Sequence, residues 1–129
     1  MVAVSRSLPA EPAAVSEARS VVRLSLTSTD QDLVELVVLL ADEVVTNAVV
    51  HGAGPIDLAV DANEERVKVM VGDRSEVPPL PRRAALYAED GRGLSIVEAI
   101  ASRWGVSATE VGKSVWFEID RAANGAVRR

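Results

Sequence analysis

Glu43, Asn47 and His51 stand at successive four-residue steps in the stretch LLADEVVTNAVVHG, residues 39–52. Four residues is close to one helical turn, so a helix here would stack a carboxylate, a carboxamide and an imidazole along one face. The surrounding residues are Leu, Val and Ala, and an unpaired carboxylate among them would be costly. Either local partners satisfy Glu43 and Asn47, or this end of the helix lines a polar pocket. In the second case Glu43 can act as a general base, and the Asn47 oxygen is a hard ligand suited to magnesium. His51, just before Gly52, fits a helix C-terminal cap or a pocket wall better than a catalyst.

Two further stretches could join such a site. In VGDRS, Asp73 either opens a turn or accepts a hydrogen bond from an amine such as the exocyclic group of adenine. In DGRGLSIVEAI, Gly91 and Gly93 allow close backbone approach, Arg92 adds a cation, and a helix opening at Leu94 would present free amides to a phosphate. Three other resemblances fail. SATEVGKS, residues 107–114, imitates a phosphate loop but has Ser107 for the first glycine and runs into strand-like VWFEI. GRGLSI lacks the last glycine of a dinucleotide fingerprint and follows a loop. PPLPRR, with Pro78, Pro81 and Arg83, is read as a stiff loop rather than a polyproline ligand.

The elements that must position these residues follow from periodicity. After a loose start, residues 12–26 have helical spacing through Val15, Ala18, Val22 and Leu26. TSTD then supplies capping residues for a helix over about 30–51, ended by Gly52 and Gly54. Projected at roughly 100° per residue, Leu36, Leu40, Glu43, Asn47 and His51 share an arc of about 80° expected to face inward. Residues 56–62 and 66–72 alternate apolar and polar around NEE, the pattern of an antiparallel hairpin. Proline-rich residues 74–93 read as a long loop or lid. Helical spacing resumes through Ile96, Ile100 and Trp104, and VSATEV and SVWFEID read as two strands around Gly112-Lys113 before a frayed tail. The result is an α+β two-layer sandwich in one domain, with helices on one face of a mainly antiparallel sheet.

Composition narrows the function. The chain has 129 residues, 48% hydrophobic but only 3% aromatic, so its core is built from Val, Leu, Ile and Ala. It has no cysteine, which removes disulfides, zinc–thiolate sites and thiol nucleophiles together. A net charge of −5 argues against a nucleic-acid surface. No signal peptide is visible, and LVELVVLLA is too short to span a bilayer. A soluble, cytoplasmic protein with no membrane or nucleic-acid partner is expected.

Taken in order, Glu43-x3-Asn47, Asp73-x-Ser75, the lid, Gly91-x-Gly93-Leu94 and GKSVWFEI resemble the boxes of the GHKL superfamily of ATP-binding domains. The resemblance covers about residues 12–120 and is strongest to the small stand-alone branch related to bacterial anti-sigma-factor serine/threonine kinases. It implies the Bergerat, or histidine-kinase-like ATPase, fold, with a mostly antiparallel mixed sheet and an ATP lid. It also implies ATP or ADP with Mg2+ as ligands. By this resemblance Glu43 polarises the attacking nucleophile, Asn47 holds the magnesium bridging the phosphates, and His51 lies within the nucleotide box. Asp73 accepts the adenine amino group, Gly91, Arg92, Gly93 and Leu94 form the phosphate box, and Ser114 supports adenine recognition through water. The chain departs from the family at Ser75, where a glycine is usual, and in the acidic pair Glu89-Asp90 before the phosphate box. The implied partners are an anti-anti-sigma factor, a sigma factor or both, with a homodimer plausible. The implied activity is protein serine/threonine phosphorylation; a non-catalytic ATP/ADP sensor that sequesters a partner is the alternative.

Overall fold

The computed structural model describes residues 2–27, 29–75 and 92–121. In chain order the elements are β1 (Val2–Leu8), α1 (Ala13–Ser25), α2 (Gln31–His51), β2 (Ile56–Ala62), β3 (Arg66–Asp73), α3 (Arg92–Ile100), β4 (Arg103–Ala108) and β5 (Lys113–Asp120). The strands form one sheet in the order β1-β2-β3-β5-β4, and each pairing is antiparallel. The expected two-layer α+β architecture is therefore present, with no parallel pairing among the described strands.

Local chemistry explains the element ends. The Asp30 side chain caps α2 by accepting from the amides of Asp32 at 2.9 Å and Leu33 at 3.3 Å. At the other end the Gly52 amide closes on the Ala48 carbonyl at 2.9 Å. Between β2 and β3, Asn63 Oδ1 accepts from the amides of Glu65 (2.7 Å) and Arg66 (3.0 Å), an Asx turn that sets the hairpin register.

Strand alternation decides what packs. Ile56, Leu58, Val60 and Ala62 of β2 and Val67, Val69 and Val71 of β3 are buried on one face, with Phe117 and Ile119 of β5. The helices cover that face. Nine residues of α2 are buried, from Leu33 to Ala48, because α1, α3 and the sheet all pack on this helix. Each buried Val or Leu contributes about 1.5–3 kcal/mol, so this one helix anchors the whole layer. Small Ala14 and Ala18 let α1 lie close against α2, and Arg19 clasps Asp42 at 2.8 Å across the outer rim.

Four expectations require correction. The N-terminus is not loose: residues 2–8 form β1, paired along β2 from Val2↔Ala62 to Leu8↔Ile56. Helix α3 stops at Ile100, and Trp104 belongs to β4 opposite Phe117. The fourth strand is Arg103–Ala108 rather than residues 106–111. The buried arc of α2 is also rotated from the projected one, because Val34, Val38, Ala41, Val45 and Ala48 are buried as well. Glu43 and Asn47 thus sit half-buried at its rim rather than at its centre, and His51 is exposed. The lid expected over 74–93 lies mostly outside the described residues, as do Pro78, Pro81, Arg83, Glu89, Asp90 and the tail from residue 122.

Candidate functional site

Three element ends converge on one carboxylate. Asp73 is the last residue of β3 and continues the buried series Val67, Val69, Val71, so its side chain turns toward the helix layer and is 3% exposed. Its Oδ1 accepts the Ser75 amide at 2.7 Å, which holds the chain in a tight turn beyond the strand. The Arg74 amide meanwhile bonds to the Ala53 carbonyl at 2.7 Å, tying that turn to the segment after α2. Gly52 is pressed against the same carboxylate: a Cβ at this position would lie 2.7 Å from both Asp73 Cγ and Oδ2. Any larger residue would push α2 and β3 apart.

Opposite Asp73 in the β3–β5 register stands Lys113, the first residue of β5. Its Nζ donates to Asp73 Oδ2 at 2.9 Å and Oδ1 at 3.1 Å, a two-pronged ion pair with the lysine side chain 19% exposed. Nothing in the local sequence marked Lys113 as a site residue. The signal was the register of two strands forty residues apart, which only the sheet supplies.

Glu43 and Asn47 occupy a different flank. The pairs Arg19–Asp42 and Arg23–Glu35 hold α1 against one side of α2. Glu43 and Asn47, both half-buried, point roughly a quarter to a third of a turn away from those pairs, and α3 also packs on α2. Helix α3 begins at Arg92, directly after Gly91, and buried Leu94 and Val97 seat it on the core. Its N-terminal amides lack intrahelical acceptors, as at any helix start. Of the phosphate-box residues, Gly91 lies outside the described residues, and only the backbone of Arg92 and Gly93 is described. His51 is exposed at the end of α2. Ser75 is buried beyond Asp73.

Ser114 falls elsewhere. It follows Lys113 in an extended strand and pairs with Gly72 and Ser107, so it belongs to the sheet face that the helices leave open. There it lines a groove with Ser5, Ser7, Asp57 and Met70, a groove whose lining also reaches Asp73 and Lys113 at the strand ends. The side chain facing Asp73 at this level is Lys113, not Ser114.

The residues present fit a magnesium nucleotide in kind. They offer one hard amide oxygen and one carboxylate a turn apart on α2, a helix start in α3 and a buried carboxylate at the end of β3. No group of three or more His, Asp or Glu side chains among the described residues could hold a metal unaided. No helix among them is long and apolar enough to cross a membrane.

A family model described as the histidine kinase-like ATPase domain matches residues 8–119. The chain belongs to that family, and an ATPase domain of this kind implies nucleotide binding. Its fold is similar to the crystal structure of the RsbU and RsbW domains of Rv1364c from Mycobacterium tuberculosis, with a TM-score of 0.70 and 22% sequence identity. That likeness covers 100% of this chain and 35% of the other, and at such identity it is one of fold. No curated protein matches the chain by sequence. The sequence resemblance to the GHKL superfamily and its Bergerat fold is thereby borne out.

Proposed function

We propose that the chain is a Mg-ATP-binding regulatory protein that phosphorylates a serine or threonine on a small protein partner. The observation that carries this reading is the half-buried pair Glu43 and Asn47, one turn apart on α2, in a chain of the ATPase-domain family. Asn47 would offer magnesium its amide oxygen, a hard ligand of the kind this ion takes. Bound magnesium would neutralise charge on the β- and γ-phosphates. The amides at the start of α3 face the same phosphates, and Asp73 serves the base. Glu43 accepts the proton of the partner's hydroxyl as its oxygen bonds to the γ-phosphorus and the bond to the ADP oxygen breaks. Little else is required, since phosphoryl transfer depends mainly on placement and charge neutralisation.

The partner in this reading is an anti-anti-sigma factor, released when phosphorylation adds about two negative charges at the interface. A sigma factor is the second partner, held according to that balance. A cytoplasmic homodimer fits the resemblance that suggests these roles.

The test is transfer of labelled phosphate from ATP to a co-purifying partner. The expected result is phosphoserine or phosphothreonine, abolished in Glu43→Ala while ATP still binds. Binding without transfer to a genuine partner would replace the kinase with a nucleotide-sensing module. Absence of Mg-dependent ATP binding by the unaltered protein would end both readings.

A further inference from the structure

A carboxylate has two oxygens and about four lone-pair positions. At Asp73 most are already taken. The Ser75 amide holds Oδ1 at 2.7 Å, and the Lys113 ammonium spans both oxygens at 2.9 and 3.1 Å. The Gly52 backbone closes the side of Oδ2, leaving too little room there even for a Cβ. The front of the carboxylate, where an amine would approach in the plane of both oxygens, is therefore the edge that Lys113 covers.

We infer that Lys113 competes with the nucleotide base for Asp73, so that it sets the affinity of the site. This rests on reading Asp73 as the base-binding carboxylate. The base amine and the lysine ammonium are both donors, and one carboxylate edge does not serve both at once. Lys113 is built to yield: it is the first residue of β5, follows Gly112, and is 19% exposed where Asp73 is 3% exposed. Its flexible four-carbon stem lets the ammonium swing to water while the strand stays paired. In the absence of a base it keeps the buried carboxylate neutralised, which an unpaired Asp73 would lack.

Two measurements test this. Lys113→Met keeps the stem and removes the ammonium. It should bind Mg-ATP about tenfold more tightly than the parent in calorimetry. Inorganic tripolyphosphate, which has no base, should bind both proteins equally. The second measurement uses the unaltered protein, whose two lysines are Lys68 and Lys113. Saturating Mg-ATP should raise acetylation of Lys113 several-fold, while Lys68, held over the Trp116 ring on the open sheet face, serves as reference. Equal or weaker ATP binding by Lys113→Met, or protection of Lys113 by ATP, would overturn the inference and make the lysine a contributor to binding. Should Asp73→Asn leave ATP affinity unchanged, the base-site reading itself falls, whatever Lys113 does.

Discussion

Replacing Gly112 with alanine asks whether the turn between β4 and β5 is what locks the carboxylate site. The Gly112 backbone does not lie in the left-handed region, so conformation does not demand glycine there; space does. A Cβ would lie 2.1 Å from the Asp73 carbonyl oxygen, 2.8 Å from Arg74 Cα and 2.9 Å from the Arg74 carbonyl carbon. All three are backbone atoms, so no side-chain rotation relieves the clash. Favourable contacts lie near 3.5 Å, so the turn and the end of β3 must part by about 1 Å or more. Lys113 is the next residue, and the same displacement draws its ammonium away from Asp73. Overpacking costs about 1–3 kcal/mol and the loosened buried pair adds to it, for a total of about 2–4 kcal/mol. At roughly 4 °C per kcal/mol for a domain of this size, Tm falls by about 10 °C. Thermal unfolding followed by circular dichroism measures it directly. A fall of less than about 3 °C would refute the reasoning, because it would mean that the turn has slack the geometry denies.

Other perturbations separate the site from the scaffold. Asp30→Ala removes the α2 cap and should lower stability by about 1 kcal/mol in urea, with nucleotide affinity unchanged. Asn47→Ala should weaken ATP binding in the presence of magnesium and bring it to the level the parent shows with chelator, so calorimetry with and without the ion checks it. The Arg23 hydrogen bond holds the Glu35 carboxyl below its ordinary value of 4.5. A depressed folded-state value means that this pair's contribution is present above about pH 4.5 and disappears as pH falls through the folded-state value. Both groups are exposed, so the effect is small; Arg23→Ala should flatten the acid limb of the urea midpoint against pH, leaving pH 7 nearly unchanged.

Much of the scaffold was legible because its signals are local. The helix over 31–51 is bounded by a capping aspartate and a glycine, and the β2–β3 hairpin alternates cleanly around an Asx turn. What escaped was set by contacts distant in sequence. β1 reads as polar, Ser5, Arg6 and Ser7 being exposed, and of its described side chains only Leu8 is buried. It is an edge strand, held by a partner about fifty residues away, and no local pattern announces such a pairing. Trp104 continued the spacing of Ile96 and Ile100, yet Ile100 is 41% exposed and Trp104 pairs with Phe117. Gly105 stands in β4 opposite Trp116. Its missing side chain is the reason β4 can lie there, since a Cβ would sit 2.9–3.0 Å from the Trp116 ring.

The site shows the same division at finer scale. Glu43 and Asn47 were conspicuous in the sequence because polar residues in an apolar run demand an explanation, and Asp73 only through its place in the order of the boxes. The last position was not, because a strand exposes alternate residues to opposite faces and a shift of one exchanges them. Ser114 therefore faces the open side with Gly72, and Lys113 faces Asp73. In SATEVGKS the lysine belongs to a pattern that elsewhere presents an ammonium to phosphate. Here the strand that follows carries that ammonium to a buried carboxylate instead. The chemistry of the residue is unchanged, but its acceptor is not: a cation placed to attract a nucleotide's phosphates would promote binding, whereas the same cation on Asp73, if that carboxylate takes the base as proposed, would oppose it. Which of these holds depends on a single residue of register between β3 and β5.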